Sequence, residues 1–507
     1  MLLLYFSSSF SGILKTKVVL MEKSEKKSMK RSIKELESRF AMLQQQLKTA
    51  KVPVIITFDG WGASGKGTLI GKMILNLDPR GFEVCAMDEA DAAEKRYPFL
   101  YRYWLKLPAK GEITIFDRSW NQEISVFRVD CEKKHKCFKE QLESVLRFER
   151  QLCDDGAVLL KFFLNISKKE QAKRFEKLLA DKTTAWRVTD LDIYRNEHYD
   201  EYAKAFDEMI EKTETDHAPW HLIDACDKDE AYYKILECCV ETIEEKMKEN
   251  LQHDGIRADQ MKMPLLSMPL LQDVDLSLTI DDETYKEELK KAQKKLRVLS
   301  NELYLKKIPL ILCYEGWDAA GKGGNIKRLA ACFDPRGYNV NPTSAPNAYE
   351  ASHHYLWRFW RHLPKSGHIA VFDRTWYGRV MVERIEGFCN EQQWRRAYNE
   401  INEFEQDLSR WGAVILKFWL QIDKDEQLKR FEERQNTPEK QWKITDEDWR
   451  NREKWDQYEP AVNEMLRLTS TTFAPWMIIE SNSKEYARLK TIHLVIEAIE
   501  NRLNQKG

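Results

Sequence analysis

A chain of 507 residues exceeds what one ordinary hydrophobic core organises, so two or three domains are expected. Its 81 lysines and arginines against 82 aspartates and glutamates leave a formal charge of −1, which argues against a general nucleic-acid binder and confines any polyanion site to a local patch. Ten scattered cysteines with no C-x-x-C pair indicate neither a zinc site nor a disulfide framework, and fit a reducing cytoplasm.

The apolar start Met1–Phe6 lacks a basic leader and is broken by Ser7-Ser8-Ser9 well short of a membrane span, so residues 1–29 are expected to be a disordered extension and no membrane partner is expected. Ile33, Leu36, Phe40, Leu43 and Leu47 then fall at helical spacing and open a first domain over 30–248. The apolar run Val52–Phe58 leads into Gly60-Trp61-Gly62-Ala63-Ser64-Gly65-Lys66, a glycine loop after a strand. Residues 249–283, with Pro264 and Pro269, lose helical periodicity and are expected to be a linker. A leading helix at 284–305 opens a second domain, 284–507.

That second domain repeats the first. Setting Lys322 on Lys66 gives an offset of 322 − 66 = 256, and the same offset carries Asp117 to Asp373, Gly156 to Gly412, Thr189 to Thr445 and Trp220 to Trp476. Spacing this faithful over a whole domain is duplication of one globular unit. In the second copy, apolar runs at 309–315, 338–341, 368–373, 413–421 and 475–479 alternate with helical patterns near 322–332, 349–363, 391–410, 424–434 and 484–503. The alternation predicts an α/β class with a parallel sheet between helix layers, ligands gathering at the carboxyl ends of the strands.

The chemistry concentrates in Gly316-Trp317-Asp318-Ala319-Ala320-Gly321-Lys322-Gly323-Gly324. Gly316 and Gly321 let the backbone turn its N–H groups inward, the following helix adds its positive end, and Lys322 adds a point charge, so Gly316, Ala320, Gly321, Lys322, Gly323 and Gly324 form a phosphate cradle. Gly323 stands where a P-loop carries a metal-binding hydroxyl, and Asp318 inside the loop is the candidate to replace it. Asp373 closes a buried strand and is the second candidate metal ligand, while Arg374 and Arg379 follow as candidate phosphate contacts. The mixed-charge stretch from Lys429-Arg430-Phe431 to Asp456 has the character of a lid, and a solvated pair of charged helices is the plainer alternative.

Gly316–Gly324, Phe372-Asp373-Arg374-Thr375-Trp376-Tyr377-Gly378-Arg379 and Thr445–Asn451 resemble the signature motifs of the polyphosphate kinase 2 family. The resemblance covers both halves and implies a P-loop kinase-like fold, duplicated in tandem, that moves phosphate between inorganic polyphosphate and a nucleotide with Mg²⁺, or Mn²⁺ in its place. Fused members resemble polyphosphate:AMP phosphotransferases, which make ADP, and members often assemble as homo-oligomers. By the resemblance Asp318 and Asp373 hold metal, Lys322 and Arg374 grip phosphates, and Arg430 is a lid candidate. In the first copy Asp318, Arg379, Tyr377 and Glu383 become Gly62, Glu123, Asn121 and Phe127, so that copy is expected to be degenerate. A polyphosphate-dependent nucleoside diphosphate kinase, an ATP-dependent nucleoside monophosphate kinase and a non-catalytic binding module remain open at this point.

Overall fold

The computed structural model describes residues 23–130, 135–249 and 263–504. The chain divides into two compact units, one built mainly from residues before 254 and the other mainly from 254 onward. The first has strands β1 (Val54–Gly60), β2 (Phe82–Ala86), β3 (Ile113–Asp117), β4 (Val158–Asn165) and β5 (Trp220–Asp224) in the order β2-β3-β1-β4-β5. The second has β6 (Leu310–Gly316), β7 (Tyr338–Pro342), β8 (Ile369–Asp373), β9 (Val414–Gln421) and β10 (Trp476–Glu480) in the matching order β7-β8-β6-β9-β10. Every pairing is parallel, so each connection is a crossover that lays helix on the sheet. Helices Glu391–Trp411 and Lys484–Asn504 both pack on β9. Central strands covered on both faces read as unbroken apolar runs, and every residue of β1 is buried.

The chain differs from expectation in three places. Residues 1–22 lie outside the described residues, but from Lys23 the chain is already helical, to Ala50. The helix expected over 349–363 is two single turns, Ala348–Ala351 and Trp357–Trp360. Tyr355, Leu356, Trp357, Phe359 and Trp360 are all buried, and one straight helix offers only a single apolar stripe to a core. The expected linker is likewise not loose throughout. Leu266 N–H donates to the Ser470 carbonyl at 2.7 Å, Thr472 N–H to the Pro264 carbonyl at 2.9 Å, and buried Leu271 donates its N–H to Asn463 Oδ1 at 3.0 Å. This stretch therefore belongs to the second unit's fold.

A buried ion pair fixes the backbone just beyond β8. The Lys417 ammonium donates to Glu405 at 2.7 Å, to the Thr469 carbonyl at 2.7 Å and to the Tyr377 hydroxyl at 2.8 Å. Trp376 and Tyr377 both donate to Glu405 as well, at 3.0 and 2.7 Å. Losing one partner would strand an uncompensated charge in the core. The first unit builds the same centre from Lys161, Glu149, Thr213 and Trp120, with the Asn121 amide, 2.7 Å from Glu149, in place of the tyrosine.

Candidate active site

In the second unit the register sets Tyr314 beside Asp373 and Gly316 beside Leu420, so the loops after β6 and β8 leave the sheet side by side. At Gly316 φ is +146°, and a Cβ there would meet the Leu420 carbonyl oxygen at 2.6 Å, so only glycine fits. Gly321, at φ +105°, caps helix Lys322–Ala330 from the left-handed region. Ala319 and Arg374 hold left-handed φ values of +61° and +64° without being glycine, backbone strain of the kind that clusters at functional sites. The first turn of that helix leaves its N–H groups without intrahelical partners, facing the loop.

The loop is clamped from behind. Arg430, only 3 % exposed, donates to the Ala319 carbonyl at 2.9 Å and to the Ser481 and Asn482 carbonyls at 2.6 and 2.9 Å, while its Nε donates to Glu426 at 2.7 Å. Gln427 donates to the Asp318 carbonyl at 3.1 Å, and the Ser481 hydroxyl to the Ala320 carbonyl at 2.6 Å. Lys322 is tethered to the Gly316 and Trp317 carbonyls at 2.6 and 3.2 Å. Arg430 thus sits on the expected lid segment but spends its donors on backbone. Arg434, one turn on, borders both cavities described below.

At the mouth of the loop, Asp318 accepts from Arg374 at 3.1 Å and from the Asn451 amide at 2.9 Å. Burial pushes its carboxyl up, but Lys322 and Arg374, then Asn451, outweigh that and hold it below its ordinary value. Neighbouring Glu315 goes the other way: burial raises it against the two hydrogen bonds, each 2.7 Å, that it accepts from Thr375. Those bonds pin the residue after Arg374.

Asp318, Lys322, Asp373, Arg374 and the loop glycines Gly321, Gly323 and Gly324 border one cavity of about 660 Å³, together with Trp442, Lys443, Thr445, Glu447, Asp448 and Asn451. Ala320 borders it too. Arg379 is absent from that lining; it pairs with Glu383 at 2.7 Å and lies 4.4 Å over the Tyr355 ring. A second cavity, about 390 Å³, adjoins the loop, shares Ala319, Gly321, Gly323, Gly324, Arg434 and Lys443 with the first, and also gathers Lys327, Arg328, Arg430, Lys440, Lys484 and Arg488 against the single carboxylate Glu433. Burial, then the Arg430 charge, pushes Lys484 down, as expected where positive charge is in excess.

Two carboxylates beside a phosphate cradle are the donor set Mg²⁺ accepts, since it takes one or two carboxylates plus phosphate oxygens and water. Among the described residues no cluster of three or more histidines, cysteines or acids competes as a metal site.

The first unit keeps the frame. The cavity bordered by Gly62, Lys66, Arg118 and Asp192 is about 30 Å³. A Cβ on Gly62 would meet Asp192 Oδ1 at 3.0 Å, a tight contact at the position that Asp318 occupies in the other unit. Lys66 is buried, bonded to the Gly60 and Trp61 carbonyls at 3.1 and 3.0 Å, and burial pushes it down. Glu123 accepts from the Tyr103 hydroxyl at 2.6 Å. The clamp persists: Arg174 donates to the Ala63, Ser64, Ala225 and Cys226 carbonyls at 2.8–3.2 Å.

A glycine loop and helix end at the carboxyl edge of a parallel sheet, with a lysine, two carboxylates and an arginine around one cavity, define a P-loop phosphotransferase. The chain belongs to the polyphosphate kinase 2 family, whose model matches residues 23–251 and again 279–507. It is 40 % identical over 474 residues to the polyphosphate:AMP phosphotransferase of Pseudomonas aeruginosa, covering 92 % of this chain and 93 % of that one. It is 33 % identical over 466 residues to the enzyme of the same name from Acinetobacter johnsonii, covering 92 % and 94 %. A crystal structure of a polyphosphate kinase 2 from Pseudomonas aeruginosa PA01 superposes with a TM-score of 0.84 at 36 % identity, covering 97 % of this chain and 99 % of that one.

Proposed function

We propose that this protein transfers the terminal phosphoryl group of inorganic polyphosphate to AMP, giving ADP and a polyphosphate one unit shorter, and that its second unit carries the reaction. The observation that carries this reading is the pair of cavities meeting at one glycine loop. One sets eight lysines and arginines against the single carboxylate Glu433, as a long flexible polyanion requires; the other holds Asp318 and Asp373.

The donor lies along the basic cavity with its last phosphoryl at the helix N-terminus, and AMP enters through the larger cavity. An AMP phosphate oxygen attacks the terminal phosphorus in line as the bridging P–O bond breaks, its electron pair leaving with the shortened chain. The nucleophile is already an anion, so no side chain needs to remove a proton. Lys322 and Arg374 stabilise the charge spreading over the transferring oxygens. Asp318 and Asp373 would hold Mg²⁺, which when bound neutralises phosphate charge. The clamp of Arg430, Gln427 and Ser481 keeps the loop shaped before substrate arrives, so that ordering is not charged to the reaction.

The first unit is proposed to be silent in transfer, because Gly62 supplies no carboxylate and Asp192 faces the space. The protein is proposed to act in the cytoplasm, where the free cysteines among the described residues fit, and without nucleic acid, for which a formal charge of −1 offers no general basic footprint. ADP formation from AMP and Mg²⁺ with polyphosphate, against ATP as donor, tests the reaction. Turnover with polyphosphate that Asp318→Asn abolishes is the expected result; turnover with ATP alone overturns it.

A further inference from the structure

One side chain in the lining of the larger cavity carries no charge with which to grip phosphate. Trp442 lies in the short 3₁₀ helix Pro438–Lys443, borders the same cavity as Asp318 and Asp373, and is 76 % exposed. Trp317, Trp357, Trp360, Trp376, Trp419 and Trp476, in the same unit, are buried. Its indole N–H donates to the Glu439 carbonyl at 3.0 Å, within its own turn, so the polar edge is satisfied locally and the ring face away from Lys443 is what it offers. The Lys443 ammonium lies 5.1 Å from the ring centroid.

Polyphosphate has no apolar or aromatic surface. The only π-face among the reactants is the base of the nucleotide, and stacking on tryptophan is the strongest contact a base makes without hydrogen-bond partners. We infer that Trp442 is the stacking platform for the base of the acceptor nucleotide, an inference that rests on the nucleotide reading above. Stacking is indifferent to base identity, so Trp442 supports binding of AMP and GMP alike and separates both from acceptors that have no base.

The first unit supplies the control. Trp186, at the 256 offset, is 73 % exposed and bonded within its own turn to the Thr183 carbonyl at 2.9 Å, yet it is absent from the lining of the 30 Å³ cavity there. The turn alone keeps this indole in water, so exposure is not what sets Trp442 apart; its place in the lining beside Asp318 and Asp373 is.

The test is calorimetric titration of the full chain with AMP and with ribose 5-phosphate, which keeps the phosphate and lacks the base, alongside steady-state kinetics with AMP and polyphosphate. Trp442→Ala is expected to weaken AMP binding by about five- to a hundredfold and to leave ribose 5-phosphate affinity and the KM for polyphosphate unchanged. Trp442→Phe is expected to recover most of the loss, and Trp186→Ala to change nothing. Unchanged AMP affinity in Trp442→Ala overturns the inference, as does an equal loss for ribose 5-phosphate or polyphosphate, which would mark a purely structural lid residue. If the wild type binds AMP through Trp442 but forms no ADP, the proposed reaction fails and the stacking stands; ADP formation with AMP affinity indifferent to Trp442 sinks the stacking alone.

Discussion

Arg430→Ala separates two roles for the same guanidinium. In the structure its nitrogens reach three backbone carbonyls, those of Ala319, Ser481 and Asn482, from a site only 3 % exposed. A hydrogen bond from a charged donor contributes about 1.5–3 kcal/mol, and the three share one group and are not additive, so their joint loss is expected to cost about 3–5 kcal/mol. For a unit of this size that lowers the unfolding midpoint by roughly 6–20 °C. Lysine reaches fewer of the carbonyls at once, so Arg430→Lys should recover part of the loss. Differential scanning calorimetry of the full chain, with turnover measured well below the midpoint, reads both effects. The clamp predicts that stability and activity fall together and return together in the lysine variant. Arg174→Ala is expected to destabilise the first unit and spare transfer. If Arg430→Ala melts with the wild type while turnover collapses, the guanidinium acts on the transferring phosphoryl and the clamp reasoning is refuted.

Asp318→Asn should lower kcat by at least about a hundredfold and weaken activation by Mg²⁺ in a metal titration, with the fold intact by circular dichroism. Because Lys322 and Arg374 hold Asp318 below its ordinary range despite burial, the acid limb of the wild-type pH–rate profile above pH 5 should not shift in Arg374→Lys, which keeps the charge. Gly62→Asp with Glu123→Arg should add no activity when Asp318→Asn silences the second unit, because the new carboxylate would meet Asp192 and the new arginine would face Tyr103; recovered ADP formation would contradict this. Burial raises Asp59 from an ordinary 3.8 to about 6, against the Ser119 hydrogen bonds. Its folded-state value exceeds the unfolded one, so its contribution is full below pH 3.8 and is lost as pH rises through 6, about 3 kcal/mol in all. Asp59→Asn should therefore gain stability over the wild type between pH 4 and 7 in denaturant melts of the first unit.

The frame of this protein is written locally. β6 and β8 are unbroken apolar runs, and Gly316 and Gly321 occupy backbone geometry that other residues resist. Asp318, Lys322, Asp373 and Arg374 were legible because each lies within a few residues of a strand end. Arg430 was singled out as a lid residue, but its clamp was not legible, since a guanidinium that reaches back 111 residues to a carbonyl looks, in sequence, like any arginine in a charged helix. Gln427 and Ser481 carry no signal of their own. The aromatic stretch near 349–363 misled because its bulk satisfies helical spacing while burying more than one face. In the first copy the sequence displayed a missing carboxylate; how tightly Asp192 lies against Gly62 depends on packing between segments far apart in the chain.

The arginine clamp occurs in both units, each time donating to carbonyls of the glycine loop. A loop shaped by its neighbours has no need of substrate to stay folded, so erosion of the chemistry carries no folding penalty. Mutations can then accumulate at the mouth of a redundant copy without exposing the cell to an aggregating protein. A duplicated enzyme of this build can retire one of its two centres and keep that half as scaffold for as long as the clamp remains.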